Sequence, residues 1–185
     1  SWIEEIEVSV ADENLAEIYN ALIEQRGKVS NILKVHSLNT DALRAPLDLY
    51  MTLMLGNSGL SRAEREAIGV VVSASNDCQY CVNHHAEALS RYIKDEQTLE
   101  MLKTDDGLET LEPRLSNIVR HAEKLTSAPG AMTESDLAEL VAVGLTDRDV
   151  LDLTLIVAYF NFVNRIALGL GVTFSDDELK GYIDS

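Results

Sequence analysis

The sequence predicts an all-α protein of roughly eight helices, and three observations lead to this prediction. Hydrophobic residues recur with the period of a helix rather than with the alternation of a strand. Four Ser/Thr-x-x-Asp/Glu capping boxes, a signature of helix starts, precede such segments. Glycine and proline are sparse, with 10 and 3 residues in 185, and no linker-like stretch interrupts the chain. We therefore expect one helical domain over residues 1–185.

The helices can be placed in order along the chain. The capping boxes are Ser61/Glu64, Thr133/Asp136, Thr146/Asp149 and Ser175/Glu178. Further helices are predicted over Glu13–Arg26, Thr40–Gly56 and Glu112–Thr126. Gly27 is a suitable C-terminal cap for the first of these, and Ser127–Gly130 ends the last. Val70–Val72 is the one run where a buried strand competes, but the capping box before it favours a helix.

Two pairs of short segments suggest an internal pseudo-repeat. Ser30–Leu33 resembles Ser116–Val119, and Leu60-Ser61 resembles Leu145-Thr146, each before a buried helix. Matches of this length also arise by chance in helical sequences, so duplication is one of two explanations.

Charge and hydropathy exclude several classes of partner. The formal net charge of -16 argues against nucleic acid and against anionic membrane surfaces, because both attract basic proteins. Val150–Leu170 nearly has the length of a membrane span, but it carries Asp152 and Arg165, so we expect a buried helix and no membrane. Charged residues within Ser1–Glu5 and cysteines confined to one Cys-x-x-Cys predict a cytoplasmic protein.

The cysteines lie at a predicted break between two helices. Asn76 and Asp77 are good N-cap residues, so one helix should end near Ser75 and the next should begin at Cys78. The free N–H groups and the dipole of a helix N-terminus favour an anion, and a thiolate is an anion.

Cys78, Cys81 and His85 share one stripe of the second of these helices. At about 100° per residue they fall within an arc of roughly 60°, and His85 follows Cys81 by one turn. Glu66 lies beside this stripe if the two helices form a hairpin. Peroxide reduction needs a thiolate to attack oxygen, an acid to protonate the departing alkoxide and a second thiol to resolve the sulfenic acid. These four residues are therefore the candidate catalytic residues.

The spacing Glu66-x11-Cys78-x2-Cys81-x3-His85 resembles the active-site pattern of the alkylhydroperoxidase D and carboxymuconolactone decarboxylase superfamily. Further segments are similar to its peroxidase-related branch: Val35–Leu38, Leu60–Glu66, Lys124–Thr126 with Pro129, and Tyr159–Ala167. The resemblance covers about residues 13–172, which we expect to be the core of the domain.

The resemblance implies a thiol-dependent peroxidase that reduces hydrogen peroxide or organic hydroperoxides. Cys81 would attack the peroxide, Cys78 would resolve the product as a disulfide, and Glu66 and His85 would relay protons. The reductant would be a dithiol or lipoyl-type partner, and the chain would form a homo-oligomer (a dimer, trimer or hexamer). No metal or flavin is expected, because the Cys78–Cys81 disulfide is the redox element.

Two features affect the roles within this site. Tyr80 stands where alkylhydroperoxidase members often have a histidine. With a pKa of about 10, tyrosine is a poor proton shuttle at neutral pH but can donate a hydrogen bond, so Tyr80 is a candidate for the substrate pocket. The helix terminus favours Cys78 as the more acidic thiol, whereas His85 and the resemblance favour Cys81 as the attacking one. We predict Cys81.

Three other functions compete with the peroxidase. A carboxymuconolactone decarboxylase-like lyase would not need two thiols. A non-enzymatic redox switch or oligomeric binding protein would form the disulfide without turnover. A zinc-stabilised module would need four ligands, and only Cys78, Cys81 and His85 are within reach of one another.

Overall fold

The computed structural model describes residues 1–104 and 106–179, and within them it contains helices and no strands. Ten α-helices are present in this part of the chain, eight of them at least nine residues long, so the predicted all-α class is confirmed. They are α1 Glu13–Arg26, α2 Asn31–Lys34, α3 Thr40–Tyr50, α4 Arg62–Ser75, α5 Gln79–Leu89, α6 Glu96–Thr104, α7 Pro113–Ser127, α8 Glu134–Ala142, α9 Asp147–Gly169 and α10 Asp176–Leu179.

Local capping determines where most of these helices begin and end. Ser61 accepts a hydrogen bond from the Glu64 backbone N–H, and the Glu64 carboxylate accepts one from the Ser61 N–H at 2.6 Å. The corresponding bonds form at the start of α9, between Thr146 and Asp149. At the end of α1, Gly27 adopts φ 83°, a left-handed conformation that glycine adopts without steric cost. Reciprocal bonds of this kind satisfy backbone groups that a helix end leaves unpaired.

The predicted helix over residues 40–56 is interrupted. Regular α3 ends at Tyr50, and Met51–Leu55 form a π-helical turn instead. Arg65 accounts for the end of that turn, because its guanidinium donates to the carbonyls of Leu53, Met54 and Gly56 at 2.8–3.1 Å. A buried cation from α4 thus satisfies carbonyl groups that a continuing helix would have bonded. Burial lowers the pKa of Arg65.

The chain forms two compact units, residues 1–50 with 165–179 and residues 51–164. The first unit has its own apolar cluster: Leu15, Ile18, Tyr19, Leu22, Val29 and Leu43. The Tyr19 hydroxyl donates to the Ile6 carbonyl at 3.0 Å, which ties the N-terminal segment to α1. The second unit contains the cysteines and every other predicted site residue.

Helix α4 is the central element of the second unit. It packs against α5, α6 and α7, and residues 67–72 are completely buried. Val70–Val72 are therefore helical, as predicted, and their continuous hydrophobicity reflects burial on all sides. This central position brings Glu66 of α4 close to α5.

Helix α9 is buried on one face only. Leu153, Ile156 and Phe160 are at most 1% exposed, whereas Leu151 and Phe162 are 55% and 47% exposed. By length and composition it is the one helix in the described part of the chain that could cross a membrane, a criterion that core helices of soluble proteins also meet. The prediction of a buried helix is thus correct for one face, and an apolar stripe remains on the other.

Candidate active site

The turn between α4 and α5 places the first cysteine. Asp77 adopts φ 57°, its N–H donates to the Ala74 carbonyl at 2.9 Å, and the Cys78 N–H donates to the Ser73 carbonyl at 2.9 Å. This pair of bonds is a Schellman motif, in which a left-handed residue ends a helix. Asparagine and aspartate enter that region more readily than other non-glycine residues.

The prediction that Asn76 or Asp77 caps α5 is wrong. Asp77 belongs to the C-terminus of α4, and Cys78 itself occupies the N-cap position of α5, which begins at Gln79. The Asn76 side chain donates to the side-chain carbonyls of Asn161 and Asn164 on α9, at 3.1 and 3.2 Å. Asn76 therefore ties the turn to α9, an interaction that local sequence rules do not contain.

Two asparagines of α9 form an interhelical hydrogen-bond network. Asn164 is fully buried and donates to the Ser73 hydroxyl at 3.3 Å, while Asn161 donates to the Thr126 hydroxyl at 3.0 Å. Together with Asn76, these residues link α4, α7 and α9 directly behind the cysteine turn. Hydrogen bonding of this kind offsets the cost of burying amides in an apolar helix.

Cys78 and Cys81 form a disulfide. Their Cα atoms are 5.3 Å apart, and the residues are 1% and 3% exposed. Cys78 at the N-cap and Cys81 in the first turn both lie near the unpaired N–H groups of α5, where a thiolate is stabilised. The described residues contain no group of three or more His, Cys, Asp or Glu side chains with metal-binding geometry.

Glu66 and His85 are in direct contact, as the hairpin arrangement predicts. Glu66 is 1% exposed, and its Oε2 lies 2.8 Å from Nδ1 of His85. Its other oxygen, Oε1, lies 2.8 Å from a guanidinium nitrogen of Arg62. The buried carboxylate thus has a partner on each oxygen, which a charge in this environment requires.

Gly69 allows His85 to approach α4. A Cβ atom at position 69 would lie 3.0 Å from Cγ and 3.1 Å from Nδ1 of His85, and 3.1 Å from Cε2 of Phe160. The imidazole packs against the Phe160 ring in an edge-to-face arrangement, with centroids 4.3 Å apart. The ring is therefore held between a helix backbone and a buried aromatic side chain.

Tyr80 and His84 form a second pair on α5. Their rings stack with centroids 4.1 Å apart, and Nδ1 of His84 lies 2.7 Å from the Tyr80 carbonyl oxygen. Tyr80 is 6% exposed, and the proposed place of its ring in a substrate pocket stays a prediction. His84 is half-buried, which fits a structural role.

Sequence reasoning missed two residues of the site, Arg62 and Gly69. Arg62 precedes Glu66 by four residues, a spacing that places the two side chains together on a helix. That spacing alone usually marks a weak surface pair, and only the burial of Glu66 gives it significance here. Gly69 carries no local signal, because its importance depends on contacts with α5 and α9.

Comparisons with known proteins agree with this geometry. The family model of the carboxymuconolactone decarboxylase family matches residues 40–104, a range that includes every candidate site residue. The crystal structure of a peroxidase-related protein from Ralstonia eutropha JMP134, with an alkylhydroperoxidase AhpD core, superimposes with a TM-score of 0.87 at 28% identity. The superposition covers 97% of this chain and 94% of that one.

A second bacterial structure and a mouse protein are also similar. A peroxidase-related protein from Silicibacter sp. TM1040 is 32% identical, with a TM-score of 0.83 and coverage of 95% of this chain and 93% of that one. Sestrin-3 from Mus musculus is 25% identical over 175 residues, which are 91% of this chain. The chain spans only 34% of the length of that sestrin, so the likeness concerns one part of a longer protein.

Proposed function

Because this chain belongs to the alkylhydroperoxidase D and carboxymuconolactone decarboxylase superfamily, we propose that it is a thiol-dependent peroxidase. One observation carries the proposal. The Cys78–Cys81 disulfide lies at the start of α5, and one turn later the same helix carries His85, which is paired with the buried Glu66. A redox-active cysteine pair is thereby combined with a group that can exchange protons.

The proposed reaction has three steps. The Cys81 thiolate attacks one oxygen of the hydroperoxide, the O–O bond breaks, and the departing alkoxide takes a proton to leave as an alcohol or water. The Cys78 thiol then attacks the Cys81 sulfenic acid, forming the disulfide and releasing water. A dithiol or lipoyl-type reductant finally reduces the disulfide by thiol–disulfide exchange and is itself oxidised.

Glu66 and His85 supply the proton in this scheme. With Nδ1 facing the carboxylate, the Nε2 atom of His85 is left to exchange a proton with the thiol or with the departing oxygen, directly or through water. The Tyr80 hydroxyl is a candidate to donate a hydrogen bond to the peroxide. Neither a metal nor a flavin takes part in these steps.

The surface of α9 supports the proposal that the chain acts as a homo-oligomer. Leu151, Leu155 and Phe162 are 55%, 39% and 47% exposed and recur at intervals that place them on one face. A contiguous apolar stripe of this kind favours a protein partner. If a second copy covers it, replacing Leu151 and Phe162 by glutamate will reduce the particle mass in analytical ultracentrifugation. A cytoplasmic location remains part of the proposal.

Peroxide consumption tests the reaction directly. Purified protein is mixed with excess dithiothreitol and hydrogen peroxide or an organic hydroperoxide, and wild type is compared with Cys81→Ser, Cys78→Ser and the double variant. We expect turnover to disappear in Cys81→Ser, while Cys78→Ser still forms one sulfenic acid per chain. Turnover no faster than the double variant with every hydroperoxide would contradict the proposal.

A redox switch is the second candidate, and the burial of the disulfide favours it. With exposures of 1% and 3%, the two cysteines could be oxidised slowly and then hold α5 in place without repeated turnover. The same assay separates the two functions, because a switch forms the disulfide once and consumes no more than one equivalent of peroxide. A lyase of the decarboxylase type would instead keep its activity in Cys78→Ser.

A further inference from the structure

Arg62 holds the outer oxygen of the buried carboxylate. It is the first residue of α4, and one guanidinium nitrogen lies 2.8 Å from Oε1 of Glu66. The other terminal nitrogen donates to the Met54 carbonyl at 2.7 Å, so the guanidinium is fixed between the π-helical turn and Glu66. The Arg62 side chain is 25% exposed, whereas that of Glu66 is 1% exposed.

The two partners of Glu66 are not equivalent. His85 is a hydrogen-bond partner that is charged only when protonated, whereas Arg62 carries its charge at all relevant pH values. A carboxylate removed from water remains ionised only when an opposite charge or several donors compensate for its lost hydration. Arg62 is the residue that provides this charge when His85 is neutral.

Other charged groups near α4 are engaged elsewhere. Among the described residues, Arg114 on α7 lies 2.6 Å from Glu64, and Lys103 on α6 lies 2.9 Å from Glu100. Arg65 directs its guanidinium to backbone carbonyls of the π-helical turn. In the part of the chain that the structure describes, Glu66 is thus paired with Arg62 and His85.

We propose that Arg62 is a positioning residue of the peroxidase, which binds Oε1 of the buried Glu66 carboxylate and leaves Oε2 to orient His85. The proposal rests on the function proposed above. Arg62 does not contact the peroxide in this proposal. It acts on Glu66, Glu66 orients the His85 imidazole, and the imidazole exchanges the proton. Because Arg62 binds Oε1, the carboxylate has Oε2 left for His85.

The proposal predicts an alkaline shift when the charge of Arg62 is removed. Removing a positive charge favours proton uptake by the groups beside it, so the pH dependence of the reaction should move to higher pH. In Arg62→Gln we expect the acid limb of peroxide-driven disulfide formation to move up by about one pH unit. Well below that limb, the rate then falls about tenfold relative to wild type.

Arg148→Gln is the matched control. Arg148 and Asp152 form another Arg–carboxylate pair at i and i+4, on α9 of the same unit, but Arg148 is 72% exposed. This variant removes the same charge and should leave the pH profile unchanged. Arg62→Lys keeps the charge and should restore most of the wild-type profile. In a Glu66→Gln background, Arg62→Gln should have no further effect, because Arg62 acts through Glu66.

An NMR titration of the His85 ring separates failure of this proposal from failure of the peroxidase. The ring signals of wild type, Arg62→Gln, Arg62→Lys and Arg148→Gln are followed against pH with the disulfide formed and without peroxide. An alkaline shift in Arg62→Gln but not in Arg148→Gln supports the positioning role even if no peroxide is consumed. Identical titrations in wild type and Arg62→Gln would overturn it. If Arg62→Gln does not fold, Arg62→Met and its control Arg148→Met are compared instead, and a shift is expected only in the former.

Discussion

Replacing Gly69 by alanine should slow the chemistry while leaving the protein folded. The new methyl group would lie 3.0–3.1 Å from His85 and Phe160, so one of these side chains must move by a few tenths of an ångström. Phe160 is 1% exposed and enclosed in the core, whereas the His85 side chain is 15% exposed. We therefore expect the imidazole to move away from α4 and from Glu66.

The expected magnitudes follow from two opposing terms. Overpacking a core typically lowers stability by about 1–3 kcal/mol, whereas alanine in place of glycine in a helix interior raises it by up to about 1 kcal/mol. The free energy of unfolding should therefore fall by roughly 0–2 kcal/mol. A misplacement of 1 Å at a reacting group can cost about 100-fold in rate, so a shift of about 0.3 Å corresponds to roughly fourfold if the loss is exponential.

Two measurements and one control test this reasoning. Urea unfolding gives the stability, and quenching with an alkylating agent at timed intervals gives the rate of peroxide-driven disulfide formation. Gly169→Ala is the control, because Gly169 is also helical and nothing lies within 4 Å of its Cβ position. A wild-type rate in Gly69→Ala, or an equal loss in Gly169→Ala, would refute the inference that Gly69 positions His85.

Three further changes test the other parts of the second unit. Glu66→Gln should slow disulfide formation at least about 100-fold in the same quenched assay, which is the lower end of the effect of losing a positioned acid or base. Glu87→Gln, on the exposed side of α5, is the control and should leave the rate unchanged. Asn164→Ala should lower the free energy of unfolding in urea by about 1–3 kcal/mol, because it leaves buried polar partners unsatisfied. Asn83 is less buried, and an equal loss in Asn83→Ala would argue against this explanation. Burial lowers the pKa of His121, so below its ordinary value of 6.5 the unfolded chain binds a proton that the folded chain resists. Stability measured by urea should accordingly fall as the pH falls below 6.5, and equal slopes in wild type and His121→Gln would contradict this.

Helix starts could be predicted from the sequence because their determinants are local. The bonds of the Ser61/Glu64 box join residues three apart, so four letters of sequence contain the whole interaction. The pairing of Glu66 with His85 followed from helical periodicity and one assumption, that α4 and α5 form a hairpin. Asn76 and Asp77 at the turn, in contrast, are residue types that suit both an N-cap and a left-handed helix end, so the sequence does not distinguish the two.

The outcome at that turn was decided by distant parts of the chain. Asn76 donates to two asparagines 85 and 88 residues later, and this interaction takes its side chain away from α5. Asp77 then takes the left-handed position, and Cys78 rather than a conventional capping residue begins the next helix. The same packing buries Glu66, which turns Arg62 from a surface residue into a partner of the site. Contacts between distant parts of the chain thus determine what Asn76, Asp77 and Arg62 do, which local sequence rules do not predict.

The two sulfur atoms differ in the groups that lie near them. Cys78 occupies the N-cap position, where unpaired N–H groups favour its thiolate whatever the state of other side chains. Cys81 lies one turn before His85, a side chain that contacts Glu66 and, through it, Arg62. A resolving thiol needs only to be nearby and ionisable, whereas an attacking thiolate also needs an acid beside it to protonate the departing oxygen. The proposed attack by Cys81 and resolution by Cys78 therefore predict that Arg62→Gln slows sulfenic acid formation in Cys78→Ser by the same factor as in wild type.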